Sequence, residues 1–232
     1  MEQIITFHNV TKRYGLTTAL KAVSFQIATG GIIGLVGSNG SGKSTLLKLI
    51  AGLVKKTGGE IVVCGENVTR LIGRKVAFLA EVDSLYDFYT VKETIRFSAS
   101  VFPDFDEEKA YDILATLDVD LTKKIGTLSK GNRARVKIAI ALSRKVPLLI
   151  MDEPLSGLDP LVREDIIKMI AKYVEMEEQT LIISTHEVAE IEPLLDHVLL
   201  VQNGEILLSE KVEELRETKG QSVLDAMREV LK

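Results

Sequence analysis

Residues 37–44 read GSNGSGKS and match G-x-x-x-x-G-K-[ST], a pattern built to hold phosphate. Gly37, Gly40 and Gly42 let the main chain wrap closely around an anion, so that the amides of Ser38, Asn39 and Ser41 turn inward as a nest. Lys43 supplies a mobile cation for β and γ phosphates, Ser44 offers a hydroxyl to Mg²⁺, and Thr45 stands beside the neighbouring phosphate. A second cluster follows in VPLLIMDEP, where Asp152 and Glu153 close the apolar run 148–151. Carboxylates at the carboxyl end of a buried strand lie where open α/β sheets bind ligands. Asp152 is placed to hold Mg²⁺ through water. Glu153 is placed to accept a proton from an attacking water, work typically worth about 10² to 10⁴ in rate. Each cluster also has a plainer reading, a glycine turn ahead of a helix and a pair of surface acids. Their occurrence together in one chain favours phosphoryl transfer.

These residues need a scaffold, and the hydropathy pattern supplies one. Strand-like segments fall at 3–10, 22–28 and 31–36, the last a continuous apolar run suited to a strand buried on both faces, and at 60–64. Short apolar runs recur at 76–79, 148–151, 180–183, 198–201 and 206–208, several separated by helical patterns. That alternation predicts an α/β fold with a largely parallel sheet and a β-rich N-terminal flank. The phosphate loop sits after the 31–36 strand and before LLKLIAGL, a helical apolar pattern. Between 90 and 144 the chain turns helical. Thr90 and Glu93 form a capping-box signature for a helix ended by Pro103, Asp106 caps a second, and a third starts after Ser129. Asp159 followed by Pro160 opens another.

Composition bounds the rest. The chain has 232 residues, 46% hydrophobic and 27% charged, which fits one soluble domain with a substantial core and excludes disordered and collagenous classes. A net charge of -4 provides no cationic field for nucleic acid or anionic lipid. No apolar stretch approaches the roughly 20 residues needed to span a bilayer, and the N-terminus lacks a secretory pattern. The single cysteine, Cys64, reads as a small core residue rather than a nucleophile, and the absence of pairing fits a reducing compartment.

Further segments resemble, in the same order, those of ATP-binding cassette (ABC) ATPases. LSKGN at 128–132 resembles the family signature LSGGQ, about twenty residues before the acidic strand, SGLDP at 156–160 resembles the D-loop, and STH at 184–186 ends a strand as the switch histidine does. Tyr14, in TKRYG, resembles the aromatic that stacks on adenine. The resemblance covers positions 10 to about 204. It implies an α/β fold, a P-loop NTPase of ABC type with a mostly parallel core sheet, an N-terminal antiparallel β subdomain and an inserted helical subdomain. The core with its β subdomain would take 1–80 and 145–210, the helical subdomain 85–144, and a helical tail 211–232.

The same resemblance implies ATP and Mg²⁺ as cofactors. It also implies a head-to-tail dimer in which Ser129 and the Gly131 amide of one subunit meet the γ-phosphate held by the other, and in which His186 contacts that phosphate or the attacking water. Two departures stand out. Glu81 occupies the usual glutamine position, where it would face the metal, and Lys130 and Asn132 replace glycine and glutamine in the signature. Both resemble single-domain exporter ATPases of bacteria that move antimicrobial peptides, lipids or drugs. The implied partners are an integral membrane permease and a second nucleotide-binding subunit, with no nucleic acid. The location is then cytoplasmic, peripheral on the inner face of the cell membrane. The alternative is a non-transport ABC ATPase acting on nucleic acid or ribosomes, which the acidic charge and the lack of a coiled-coil insertion disfavour. Tyr86, Phe88, Tyr89, Phe97, Phe102 and Phe105 are expected mostly to build the helical lobe's own core, with two or three near 86–89 lining a groove. The tail is expected as one helix on the core or on a second protomer.

Overall fold

The computed structural model describes residues 2–231. In chain order, β1 (Gln3–Tyr14) and β2 (Thr17–Ala28) form a hairpin, and β3 (Gly31–Val36) leads to α1 (Lys43–Ile50). Next come β4 (Gly58–Val63), β5 (Glu66–Asn67) and β6 (Val76–Leu79). Helices α2 (Val91–Val101), α3 (Glu107–Thr116) and α4 (Lys130–Leu142) separate β6 from β7 (Leu148–Asp152). Then follow α5 (Pro160–Tyr173), β8 (Thr180–Thr185), α6 (Val188–Ile191), β9 (His197–Gln202), β10 (Glu205–Lys211), α7 (Val212–Lys219) and α8 (Val223–Val230).

The strands make two sheets, as expected. The first is antiparallel in the order β2-β1-β4-β5, and the second runs β10-β9-β3-β8-β7-β6, parallel throughout except for the β9/β10 hairpin. Alternation along the central strands divides the interior in two. Ile32 and Val36 of β3, Leu149 and Met151 of β7, and Leu181 and Ile183 of β8 face a core shared with α2–α5. Ile33 and Leu35, Leu148 and Ile150, and Ile182 face the opposite core, closed by α1 and the antiparallel sheet. Both faces being covered explains why these strands read as unbroken apolar runs. Each fully buried aliphatic contributes roughly 1.5–3 kcal/mol. The sheet that carries the phosphate loop is therefore held rigidly from both sides.

The helix starts fall where their capping residues stand. Thr90 and Glu93 form a reciprocal capping box, and Asp106, Ser129 and Asp159 each accept the amide three residues on. Three expectations need correction. Cys64 does not end a strand: with Gly65 it forms the two-residue turn between β4 and β5, both at positive φ (50° and 75°), the hairpin geometry that strand twist selects. Its half-burial pushes the thiol up to about 11, which leaves little thiolate to act as a nucleophile. The aromatics after Glu81 do not form a lobe core. Tyr86, Phe88, Tyr89 and Phe97 instead stack on one another at the surface, and Phe105 alone of the six packs against the main core. The lobe is filled by aliphatics such as Val91, Ile95, Ile113 and Leu114, continuous with the sheet core. The tail is two helices, broken at Gly220 (φ 62°), and Val212, Leu215, Val223 and Ala226 bury it against the core. No helix among the described residues is long and apolar enough to cross a membrane.

Candidate functional site

The phosphate loop leaves β3 at its carboxyl end and enters α1. Gly37 has no room for a side chain, since a Cβ would lie 2.2 Å from the carbonyl oxygen of Val201. Gly42, the N-cap of α1, adopts φ 116° and provides no side-chain cap. The first-turn amides of α1 are thus left for a ligand, where the helix dipole also favours an anion. Lys43 is only 5% exposed, and its ammonium donates to the carbonyls of Gly37 (2.8 Å) and Ser38 (3.2 Å). The hydroxyl of Ser41, also buried, has no hydrogen-bond partner among the described residues. A cavity of about 800 Å³ opens over this loop, and Asn39, Gly40, Gly42, Lys43, Ser44 and Thr45 face it together with Glu81, Glu153 and His186.

The acidic strand meets the loop through side chains. The Ser44 hydroxyl donates to Asp152 Oδ1 at 3.2 Å, and Asp152 is 3% exposed at the end of β7. Glu153 follows at φ 47°, a left-handed turn that an L-residue adopts only when its surroundings hold it. Its Oε1 faces Lys43 Nζ at 3.3 Å as a buried ion pair, and its Oε2 lies 2.9 Å from His186 Nδ1. An ionised carboxylate only accepts, so Nδ1 carries the proton. Nε2 then points outward, 3.6 Å from Glu187. Lys43, Glu153 and His186 form one chain of charge and hydrogen bonds, assembled from α1, β7 and the exit of β8.

The remaining sequence-selected residues lie elsewhere. Ser129 and Gly131 stand at the exposed N-terminus of α4, outside the cavity around Lys43. The Lys130 ammonium fills the space that a side chain at Gly157 would need. Lys130 also shares a second cavity, of about 240 Å³, with Glu81, Asp83 and Glu153, which brings Glu81 and one of the two altered signature residues into one pocket. Tyr14 ends β1 at 46% exposure, beneath the Lys12 ammonium, and does not line the cavity, whose wall on that side is Thr17, Thr18 and Ala19.

Comparison with known proteins matches residues 20–156 to the ABC transporter family, a span from β2 through the acidic strand. The chain belongs to that family. An uncharacterized ABC transporter ATP-binding protein of Bacillus subtilis, YdbJ, is 30% identical across 97% of this chain and 74% of its own. The bacitracin transport ATP-binding protein BcrA of Bacillus licheniformis is 32% identical across 89% and 69%. Among solved structures, an ATP-binding subunit of an ABC transporter superposes with a TM-score of 0.85 at 26% identity, covering 99% of this chain and all of that one. A dimeric cassette bound to ADP and Pi in a post-hydrolysis state gives 0.78 at 27%, covering 89% and 98%. The protein is an ATP-binding subunit with ATPase activity.

Several residues of this ABC ATPase that face or brace its cavity escaped the sequence reading. Asn203 and Gly204 line the cavity from the β9/β10 turn, and the Gly204 amide donates to the Ser41 carbonyl at 2.9 Å. The Asn-Gly pair is a hairpin signal, yet nothing local says which loop it touches. Lys137, on the exposed-to-buried border of α4, donates to the carbonyls of Ala80, Glu81 and Val82, and burial lowers its pKa. It fastens the Glu81 segment to the helix that starts with the signature. One turn earlier on α4, Arg133 pairs with Asp83 and Asp87 of the same segment.

Proposed function

We propose that the ABC ATPase dimerises on ATP and drives a separate membrane permease, with export of peptides, lipids or drugs as its work. The observation that carries this reading is the division of the site. Lys43, Ser44, Glu153 and His186 line one cavity, with Asp152 bonded to Ser44 behind it, while the exposed N-terminus of the 13-residue helix α4 offers Ser129 and Gly131 away from it. A helix N-terminus is an anion site, and one aimed outside its own cavity suits a phosphate held by a second copy. On ATP binding, Lys43 exchanges the Gly37 and Ser38 carbonyls for phosphate oxygens and releases Glu153. Glu153 then takes the proton of the attacking water, and His186, already bonded to it, holds that carboxylate in place. The Tyr14 ring, exposed at the end of β1, takes the adenine face.

The donor set fits Mg²⁺: the Ser44 hydroxyl and Asp152 carboxylate are hard oxygens 3.2 Å apart beside the phosphate loop. When bound, the ion neutralises charge on the phosphates. Glu81 faces the same cavity with a further carboxylate. Glu81→Gln is therefore expected to raise the Mg²⁺ concentration for half-maximal ATPase activity about 2–5-fold, the effect of one exposed charge. An unchanged Mg²⁺ titration would remove Glu81 from the metal side.

An apolar groove of about 450 Å³ beside the Tyr86 and Phe97 rings supports docking of a permease segment, since exposed aromatics anchor interfaces. A cytoplasmic, membrane-peripheral location follows from that partner. The relatives named for bacitracin and for lantibiotic transport, the latter SrtF of Streptococcus pyogenes at 32% identity, support export of peptide-like cargo. Sulfate/thiosulfate import proteins are similar to this chain as well, at 30–31% identity, so direction rests on the permease. The test is to identify a multispan membrane protein encoded beside it and to co-express the two. Co-purification from detergent, weakened by Phe97→Ala, is expected, whereas recovery with RNA or ribosomes instead would overturn the reading.

A further inference from the structure

We infer that Ser184 is a positioning residue for both acidic groups of the site, and this rests on the roles proposed above for Asp152 and Glu153. Strand β8 lies between β3 and β7, and Ser184 stands in register with Leu35 on one side and Asp152 on the other. It is fully buried in an otherwise aliphatic stretch, where a hydroxyl is retained only if it is hydrogen-bonded. Its oxygen accepts the amide of Glu153 at 2.8 Å and lies 2.7 Å from Asp152 Oδ1. The direction of both bonds is fixed by chemistry. An amide can only donate, so the hydroxyl accepts from Glu153, and its single proton goes to the Asp152 carboxylate.

Two consequences follow for the reacting groups. Asp152 Oδ1 receives hydroxyls from Ser184 and Ser44 together, which sets the plane of the carboxylate and leaves Oδ2 without a hydrogen bond among the described residues. The Glu153 amide is tethered at the residue that turns left-handed, so the tether also fixes the turn that aims Glu153 at Lys43 and His186. Two residues beyond Ser184 comes His186 itself, and between them the Thr185 hydroxyl accepts the Glu187 amide at 2.9 Å. The end of β8 thus aligns the metal-side carboxylate, the general base and the histidine from one strand.

The test compares Ser184→Ala, Ser184→Val and Ser184→Thr. Threonine keeps the hydroxyl and valine has nearly the same volume without it. Loss of such an outer-shell bond typically costs about 10- to 100-fold. Ser184→Ala and Ser184→Val are expected to lower kcat at least tenfold, and Ser184→Thr to stay close to wild type. A fluorescent ATP analogue is expected to bind Ser184→Ala as it binds wild type in EDTA, but to lose the gain in affinity that Mg²⁺ brings. Wild-type kcat in Ser184→Ala, equal activity of the Val and Thr variants, or an unchanged Mg²⁺ effect on binding would each overturn the inference. Should Ser184→Ala not fold, the Val and Thr pair decides. Failure of the underlying roles reads differently: Glu153→Gln would then retain turnover whatever Ser184 does.

Discussion

Glu153→Gln is expected to bind ATP, lose about 10²- to 10⁴-fold in turnover and accumulate as an ATP-bound dimer. An amide has the shape of the carboxylate but cannot take a proton from water, so the substitution separates chemistry from folding. The residue stands 3.3 Å from Lys43 and 2.9 Å from His186, where the carboxylate is both held and buried. Steady-state hydrolysis by a colorimetric phosphate assay, with size-exclusion chromatography in ATP, checks both halves. Unchanged hydrolysis would sink the role of Glu153 as base.

Lys43→Ala is expected to weaken ATP binding by about 10²-fold or more, because hydrogen bonds to charged groups are worth roughly 1.5–3 kcal/mol each and the ammonium has several to give. Isothermal titration calorimetry measures this directly, and near-wild-type affinity would count against the site. The same substitution strips Glu153 of its buried cation, which destabilises the fold by up to a few kcal/mol. The double variant with Glu153→Gln is then expected to recover the melting temperature without recovering affinity. That pattern distinguishes lost phosphate contacts from a damaged fold.

The parts of this protein that were legible in its sequence are those whose causes are local. Helix starts at Thr90, Asp106, Ser129 and Asp159 follow from a side chain and an amide three residues apart, and each is found where it was expected. The phosphate loop is equally local, since glycine placement and Lys43 share one turn with the helix they introduce. Misreadings arose where a residue type has two uses. A β-branched, apolar context around Cys64 concealed a turn, and aromatics that read as core are surface rings because aliphatics already filled the lobe.

By itself the sequence determined the α/β class, the order of the motifs and the identity of the groups able to handle phosphate, because each is written within a few consecutive residues. Only the tertiary structure decided which of them touch. Lys43 and Glu153 meet, and Ser184 reaches both acidic residues, because β8 runs between β3 and β7. Strand order is set by crossover connections and by packing on both faces of the sheet. No short stretch of chain encodes it, so a buried serine in TLIIST carries no mark of its neighbours until the sheet is assembled.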